Sequence, residues 1–196
     1  MVIGLTGGIG SGKTTVLNIF KQFKNVTTYM ADVEAKKLMN SSTEIKDSLI
    51  KNFGKDCFKD NQLNRSFLAN IVFKDKQKLA ILNSIVHPVV HKHLSDFIKN
   101  NADKDYIIYE NAILFENGSD SFCDKIITVT APKDIRIQRV VERDNINKAE
   151  VENRINNQFS ESKKTLQSHY VINNLDLNTT EDLVLQIHKN LTKFIK

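Results

Sequence analysis

Thr6-Gly7-Gly8-Ile9-Gly10-Ser11-Gly12-Lys13-Thr14-Thr15 is the stretch that decides how this chain folds. Five of its seven glycines fall between residues 4 and 12, so the composition marks one turn above all others. Gly7, Gly12, Lys13 and Thr14 satisfy the spacing G-x-x-x-x-G-K-[ST]. Glycines let a backbone turn tightly and bring several N–H groups onto one anion without Cβ clashes. Val2-Ile3-Gly4-Leu5-Thr6 reads as a short buried strand, and Val16, Ile19, Phe20 and Phe23 recur at helical spacing, so a helix begins near Lys13. Its positive end lies under the same anion. The Lys13 ammonium suits β- and γ-phosphates as a point charge, and the Thr14 hydroxyl suits Mg²⁺. Gly8, Gly10, Ser11, Gly12, Lys13, Thr14 and Thr15 are therefore the expected nucleotide cradle.

Outward from this unit, four more runs read as buried strands: Val26–Met30, Tyr106–Tyr109, Ile126–Val129 and Tyr170–Ile172. Such runs between helical segments predict an α/β fold with a five-stranded parallel sheet covered on both faces. Leu183, Val184, Ile187, Leu191 and Phe194 form one stripe of a last helix that covers it. Residues 33 to 104 break the alternation: no convincing strand appears, and Ile45, Leu49, Ile50, Phe53, then Phe67, Leu68, Ile71, Val72, then Leu79, Leu82, Ile85, Val86 keep helical spacing. The expected organisation is a core of residues 1–32 and 105–196 with a helical insertion at 33–104. A polar helical stretch from about 132 to 168, carrying Arg136, Arg139, Arg143 and Arg154, is a candidate lid.

The chain has 196 residues, 40% hydrophobic and 26% charged, a globular composition within one domain's reach. No apolar run long enough to span a bilayer and no basic N-terminal leader is seen, and Cys57 and Cys123 lack metal spacing. These features lead to an expected cytoplasmic protein without a membrane partner. The net charge of +5 comes from lysines dispersed along the chain, which favours a solvated surface over a nucleic-acid stripe.

The loop specifies a nucleotide and leaves the reaction open. Asp32, just past the second strand, suits a base for an attacking hydroxyl, a Mg²⁺–water ligand, or equally a helix N-cap. Glu110 and Glu116 after the third strand are candidates for completing a Mg²⁺ site or for ordinary loop and helix-start acids. The arginines suit a transferring phosphoryl group, though each alone reads as a solvated charge. His87-Pro88 reads as a helix break.

With these residues placed, the chain resembles the dephospho-coenzyme A kinase family from Thr6 to Asn174. The matches are the loop itself, Ala31-Asp32, Leu63-Asn64-Arg65, His87-Pro88, Ile113-Leu114-Phe115-Glu116, Arg139 with Arg143, Arg154-Ile155-Asn156-Asn157-Gln158, and Val171-Ile172-Asn173-Asn174. It departs from the family at Met30, which stands where the first Asp of Asp-Ala-Asp is found, at Asn111-Ala112-Ile113, which lacks a Pro, and at His169. The resemblance implies a P-loop kinase fold with a helical substrate-binding insertion and a helical lid. The implied reaction is ATP-dependent phosphorylation of the ribose 3′-hydroxyl of dephospho-coenzyme A, with Mg²⁺. It implies Asp32, Lys13 and Arg139 as catalytic residues and Thr14 as the metal ligand. Arg139, Arg143 and Asn174 join the loop in binding ATP, while Asp32, Arg65, His87, Glu116 and Arg154 bind the acceptor. A monomer without a nucleic-acid partner is expected. A nucleoside monophosphate kinase and a P-loop ATPase acting on nucleic acid are the rival readings.

Overall fold

The computed structural model describes residues 1–193; Phe194 of the expected last stripe lies outside them. In chain order the elements are β1 (Val2–Thr6), α1 (Lys13–Phe20), β2 (Val26–Met30), α2 (Ala31–Ser41), α3 (Thr43–Phe53), β3 (Phe58–Lys59), β4 (Gln62–Leu63), α4 (Arg65–Val72), α5 (Lys76–Asn100), β5 (Tyr106–Glu110), β6 (Lys125–Thr130), α6 (Lys133–Asp144), α7 (Lys148–Asn156), α8 (Glu161–Leu166), β7 (Tyr170–Asn173) and α9 (Leu177–Thr192). They form two compact units, one of Met1–Tyr29 with residues 101 onward, the other Met30–Asn100.

In the first unit the five core strands stand in the order β2-β5-β1-β6-β7 and make the α/β parallel sheet of a P-loop kinase fold. β1 is buried along its whole length, as a central strand between two parallel neighbours must be. The chain leaves β1 for β2 on one side, while β6 and β7 lie on the other. The loop after β1 therefore opens at a topological switch point, where α/β sheets bind ligands. Val184, Ile187 and Leu191 form the buried stripe of α9, which packs on α1 and β7.

The polar stretch after β6 is three helices. α6 ends on Asn145 in the left-handed region at φ 51°, and α7 and α8 start on the side-chain caps Asn147 and Ser160. Ile137, Val140 and Val151 form a small core, joined by Ile9 of the glycine loop and by Ile155. Arg136, expected to be solvated like its neighbours, is 4% exposed because it reaches back into that loop.

The second unit is built on an apolar cluster from α3, α4 and α5, with Ile45, Leu49, Phe53, Leu68, Val72, Val86 and Val90 at its centre. Two expectations fail here. A small antiparallel hairpin pairs Phe58 with Leu63 and Lys59 with Gln62, where no strand was expected. Asp60 and Asn61 turn it with φ of 50° and 61°, the two positive values that a tight hairpin turn requires. His87-Pro88 does not break a helix either. Pro88 lies inside the 25-residue α5, whose buried Val86, Val90 and Leu94 continue across it at four-residue spacing. A proline inside a helix costs roughly 3 kcal/mol, and burying such side chains at roughly 1.5–3 kcal/mol each offsets it.

Candidate active site

Gly12 is the N-cap of α1 and has no side chain with which to cap that end. Only glycine fits there. Its φ is 92°, and an added Cβ would stand 1.8 Å from Asn174 Nδ2. Asn174, six per cent exposed just past β7, ties the loop down. Its Nδ2 donates to Ser11 O at 2.9 Å, its Oδ1 accepts from Thr180 Oγ1 at 3.1 Å, and its backbone O accepts from Arg139 Nη2 at 3.0 Å. Lys13 Nζ donates to Gly7 O at 2.9 Å and Gly8 O at 3.3 Å, which folds the ammonium over the loop.

Two adjoining cavities open beside the start of α1. One, of about 300 Å³, is lined by Gly10, Gly12, Lys13, Thr14, Thr15, Arg139 and Arg143. The other, of about 240 Å³, shares Gly12, Thr15 and Arg139 and adds Asn174, Leu175 and Leu177. The first is polar and cationic, and the second adds two half-exposed leucines. A triphosphate and a flat base make that pair of demands. Arg139 Nη1 is buried with no hydrogen-bond acceptor among the described residues. A buried guanidinium N–H without a partner is costly, so the site is short of an anion at this point. Thr14 is exposed on the cavity wall, and its hydroxyl is a hard oxygen donor of the kind Mg²⁺ takes. No cluster of three acids, histidines or cysteines holds a metal among the described residues.

The other arginines of the segment after β6 are paired. Arg143 grips Asp144 with both Nε and Nη2, at 2.7 and 3.0 Å, and Arg154 Nη1 reaches the same carboxylate at 3.1 Å. Hydrogen bonding from Arg143 first, and then the charges of both arginines, hold the Asp144 carboxyl below its usual range. Burial lowers the Arg136 guanidinium, and the charge of Glu161 opposes that shift.

The Glu116 side chain is largely buried. Its Oε1 accepts from Phe159 N at 2.8 Å and lies 2.9 Å from Lys164 Nζ, which also donates to Ala112 O at 2.7 Å. Lys164 is wholly buried, and removing one partner of such a buried pair is strongly destabilising. Glu116 thus has one oxygen engaged in an internal ion pair, while its Oε2 is buried without a hydrogen-bond partner among the described residues.

Asp32 belongs to the helical unit, because α2 starts at Ala31 with no loop after β2. The N-cap is Met30 and makes no side-chain cap, so the capping alternative for Asp32 falls away. Asp32 is exposed in the first helical turn, where the helix dipole favours a carboxylate. Arg65 is exposed at the start of α4, on a largely apolar groove of about 400 Å³ with Leu68, Val72 and Phe73. His87 lies on α5 one turn from His91, and burial first, then the His91 charge, lowers its pKa.

The structure thus brings Gly10, Gly12, Lys13, Thr14, Thr15, Arg139, Arg143 and Asn174 around one place. Sequence reasoning missed Arg136, Asp144, Glu161 and Lys164 as partners. Glu161 and Lys164 read as ordinary surface charges on a polar helix, and no local spacing marks their partners.

The family model for dephospho-CoA kinase matches residues 1–179. A dephospho-CoA kinase from Fusobacterium nucleatum is 37% identical over 191 residues, 96% of each chain. The crystal structure of TT1252 from Thermus thermophilus superposes with a TM-score of 0.87 at 26% identity, covering 100% of this chain and 98% of the other. The dephospho-CoA kinase from Campylobacter jejuni shares the fold, with a TM-score of 0.73 at 21% identity over 98% and 97% of the two chains.

Proposed function

The chain belongs to the dephospho-CoA kinase family, and on that premise we propose how its residues divide the transfer of a phosphoryl group from ATP to the ribose 3′-hydroxyl of dephospho-coenzyme A. The observation that carries the reading is the cavity pair at the start of α1, with the unpartnered Nη1 of Arg139 beside it. ATP lies with its base against Leu175 and Leu177 and its phosphates over Gly10–Thr15. Lys13, Arg139 and Arg143 neutralise the charge that spreads over the transferring group, and this positioned charge is the main catalytic term in phosphoryl transfer. Thr14 would hold Mg²⁺, which when bound would offset the charge of the phosphates.

The helical segment 33–104 holds the acceptor. Arg65 and His87 line its binding surface, and Arg154 approaches the acceptor's phosphates from α7. Asp32 takes the 3′-hydroxyl proton as the oxygen attacks the γ-phosphorus. The bond from that phosphorus to the bridging oxygen breaks, and ADP leaves with the electron pair. Asp32 is supported by its position two residues past β2 and by its exposure, which leaves the carboxylate free to meet a substrate. The arginine-rich segment covers the nucleotide against water. The enzyme works as a cytoplasmic monomer without nucleic-acid or membrane partners. Two unpaired cysteines and the dispersed lysines support that part of the reading.

The test is an acceptor panel with labelled ATP and Mg²⁺. Dephospho-coenzyme A should be phosphorylated far faster than AMP, adenosine or shikimate. Faster turnover with AMP, or ATP hydrolysis stimulated by DNA or RNA alone, would overturn the assignment of acceptor.

A further inference from the structure

Ile9, at the tip of the glycine loop, is held by every group it has. Its N–H donates to Gln158 Oε1 at 2.9 Å, and its carbonyl accepts from Arg136 Nε at 2.9 Å. Its side chain packs into the small core of Ile137, Val140 and Val151. The neighbouring Gly8 N–H donates to Glu161 Oε1 at 3.2 Å. That same oxygen lies 2.9 Å from Arg136 Nη1, and Glu161 Oε2 accepts from the Thr130 hydroxyl. Gly8 O accepts from Ser11 N at 3.1 Å and from Lys13 Nζ. The tip therefore spends its N–H groups on protein side chains, whereas Gly12 at the start of α1 has no side chain with which to cap it.

This division has a physical consequence. A flexible glycine loop must be ordered before several N–H groups can converge on one phosphate, and ordering a residue costs roughly 1–2 kcal/mol. A loop already ordered by other contacts binds its ligand without that loss. The contacts come from the segment that also carries Arg139 and Arg143, so loop and arginines share one scaffold.

We propose that Gln158, Glu161 and Arg136 are positioning residues that fix the Gly8–Ile9 tip and so preorganise the phosphate loop for ATP. This deepens the ATP-site reading above and is independent of which acceptor is used. Gln158 is the cleanest probe, since it makes one contact to the loop and carries no charge.

The experiment is calorimetric binding of ATP with Mg²⁺ to the full chain, for wild type, Gln158→Met and Gln158→Glu. Methionine keeps the bulk and removes the acceptor, whereas glutamate restores an acceptor oxygen. Gln158→Met should weaken ATP binding about tenfold, the effect of leaving one buried N–H unpaired. Gln158→Glu should return to within about threefold of wild type, and KM for dephospho-coenzyme A should stay unchanged in both. ATP affinity of Gln158→Met within twofold of wild type would overturn the proposal. So would a loss that Gln158→Glu fails to rescue, which would make the residue merely structural. Should Gln158→Met fail to fold, amide exchange in the unaltered protein decides. The Ile9 amide should be protected before any nucleotide is added, and free exchange there would overturn the proposal. A wild type that binds ATP yet ignores dephospho-coenzyme A would sink the acceptor reading and leave this one standing.

Discussion

The glycine loop and the helical unit are held by different physics. Around the loop nearly every contact is a directed polar one: Asn174 to Ser11, Gln158 to Ile9, Glu161 to Gly8, Arg136 to both Ile9 and Glu161. In the helical unit the core contacts are apolar, from Ile45, Leu49, Leu68, Val86 and Val90, and Asp32 and Arg65 stand exposed outside that cluster. Hydrogen bonds fix distances and angles, whereas apolar burial is nondirectional and stabilises by area. The difference teaches where precision is concentrated. The loop must hold N–H groups at hydrogen-bond distance from phosphate oxygens, with a tolerance of about a few tenths of an ångström, and the helical unit need only keep a surface in place.

The comparison breaks most sharply at Asp32. An exposed carboxylate that does no packing should be dispensable for folding and decisive for chemistry. Asp32→Asn should lower single-turnover phosphorylation of dephospho-coenzyme A by about 10²–10⁴, the usual contribution of a positioned base. Its melting temperature should match wild type. A wild-type rate in that variant removes Asp32 from the mechanism.

Lys13→Ala tests the loop in the same terms. Loss of a preorganised cation should cost about 10²–10³ in turnover at saturating ATP, by analogy with oxyanion-hole donors. Far-ultraviolet circular dichroism should be unchanged, because α1 is nucleated by Val16, Leu17 and Phe20 in the core. A folded variant with near-normal turnover would show that the loop cation is not used.

Leu49→Ala probes the apolar side. Leu49 is wholly buried, and truncation of such a residue costs about 2–5 kcal/mol. Denaturation should shift accordingly, while ATP affinity below the transition holds, since the ATP-site residues lie in the other unit. Equal loss of ATP affinity in the folded variant would show the two regions to be more tightly coupled than their contacts imply.

The smallest effect is a pH dependence. Burial lowers the pKa of His87 and His91 from the ordinary 6.5. The unfolded chain then binds more protons as the pH falls below that value, so stability present above 6.5 is lost towards each lowered pKa. Asp144 and Asp176 are lowered from 3.8, so their contribution disappears only in stronger acid. Urea midpoints at pH 7.5 and 5.5 should differ less in His87→Gln with His91→Gln than in wild type. His188, also lowered by burial, leaves a residual slope. An unchanged slope would place the acid sensitivity elsewhere.

Much of the fold was legible because it is written in local pattern. The five buried runs became the five sheet strands, and the G-x-x-x-x-G-K-[ST] spacing turned out to cap α1 with Gly12. The hairpin at Asp60-Asn61 escaped notice because two-residue strands are too short to show alternation, although its turn residues were a usable signal. Pro88 misled because a local rule about the preceding residue was outweighed by burial along α5.

The sequence by itself determined the nucleotide loop, its strand and helix, the parallel sheet and the family, since each follows from residues adjacent or regularly spaced along the chain. Only the tertiary structure decided what each charge faces. Arg136 and Lys164 resembled solvated surface cations until Glu161 and Glu116 were brought against them from distant segments. Asn174 changed from a residue expected only to touch ATP into one that also ties Ser11 in place. Ion pairs and buried hydrogen bonds act over a few ångströms in space and leave no period in the chain, so only the folded contacts reveal them.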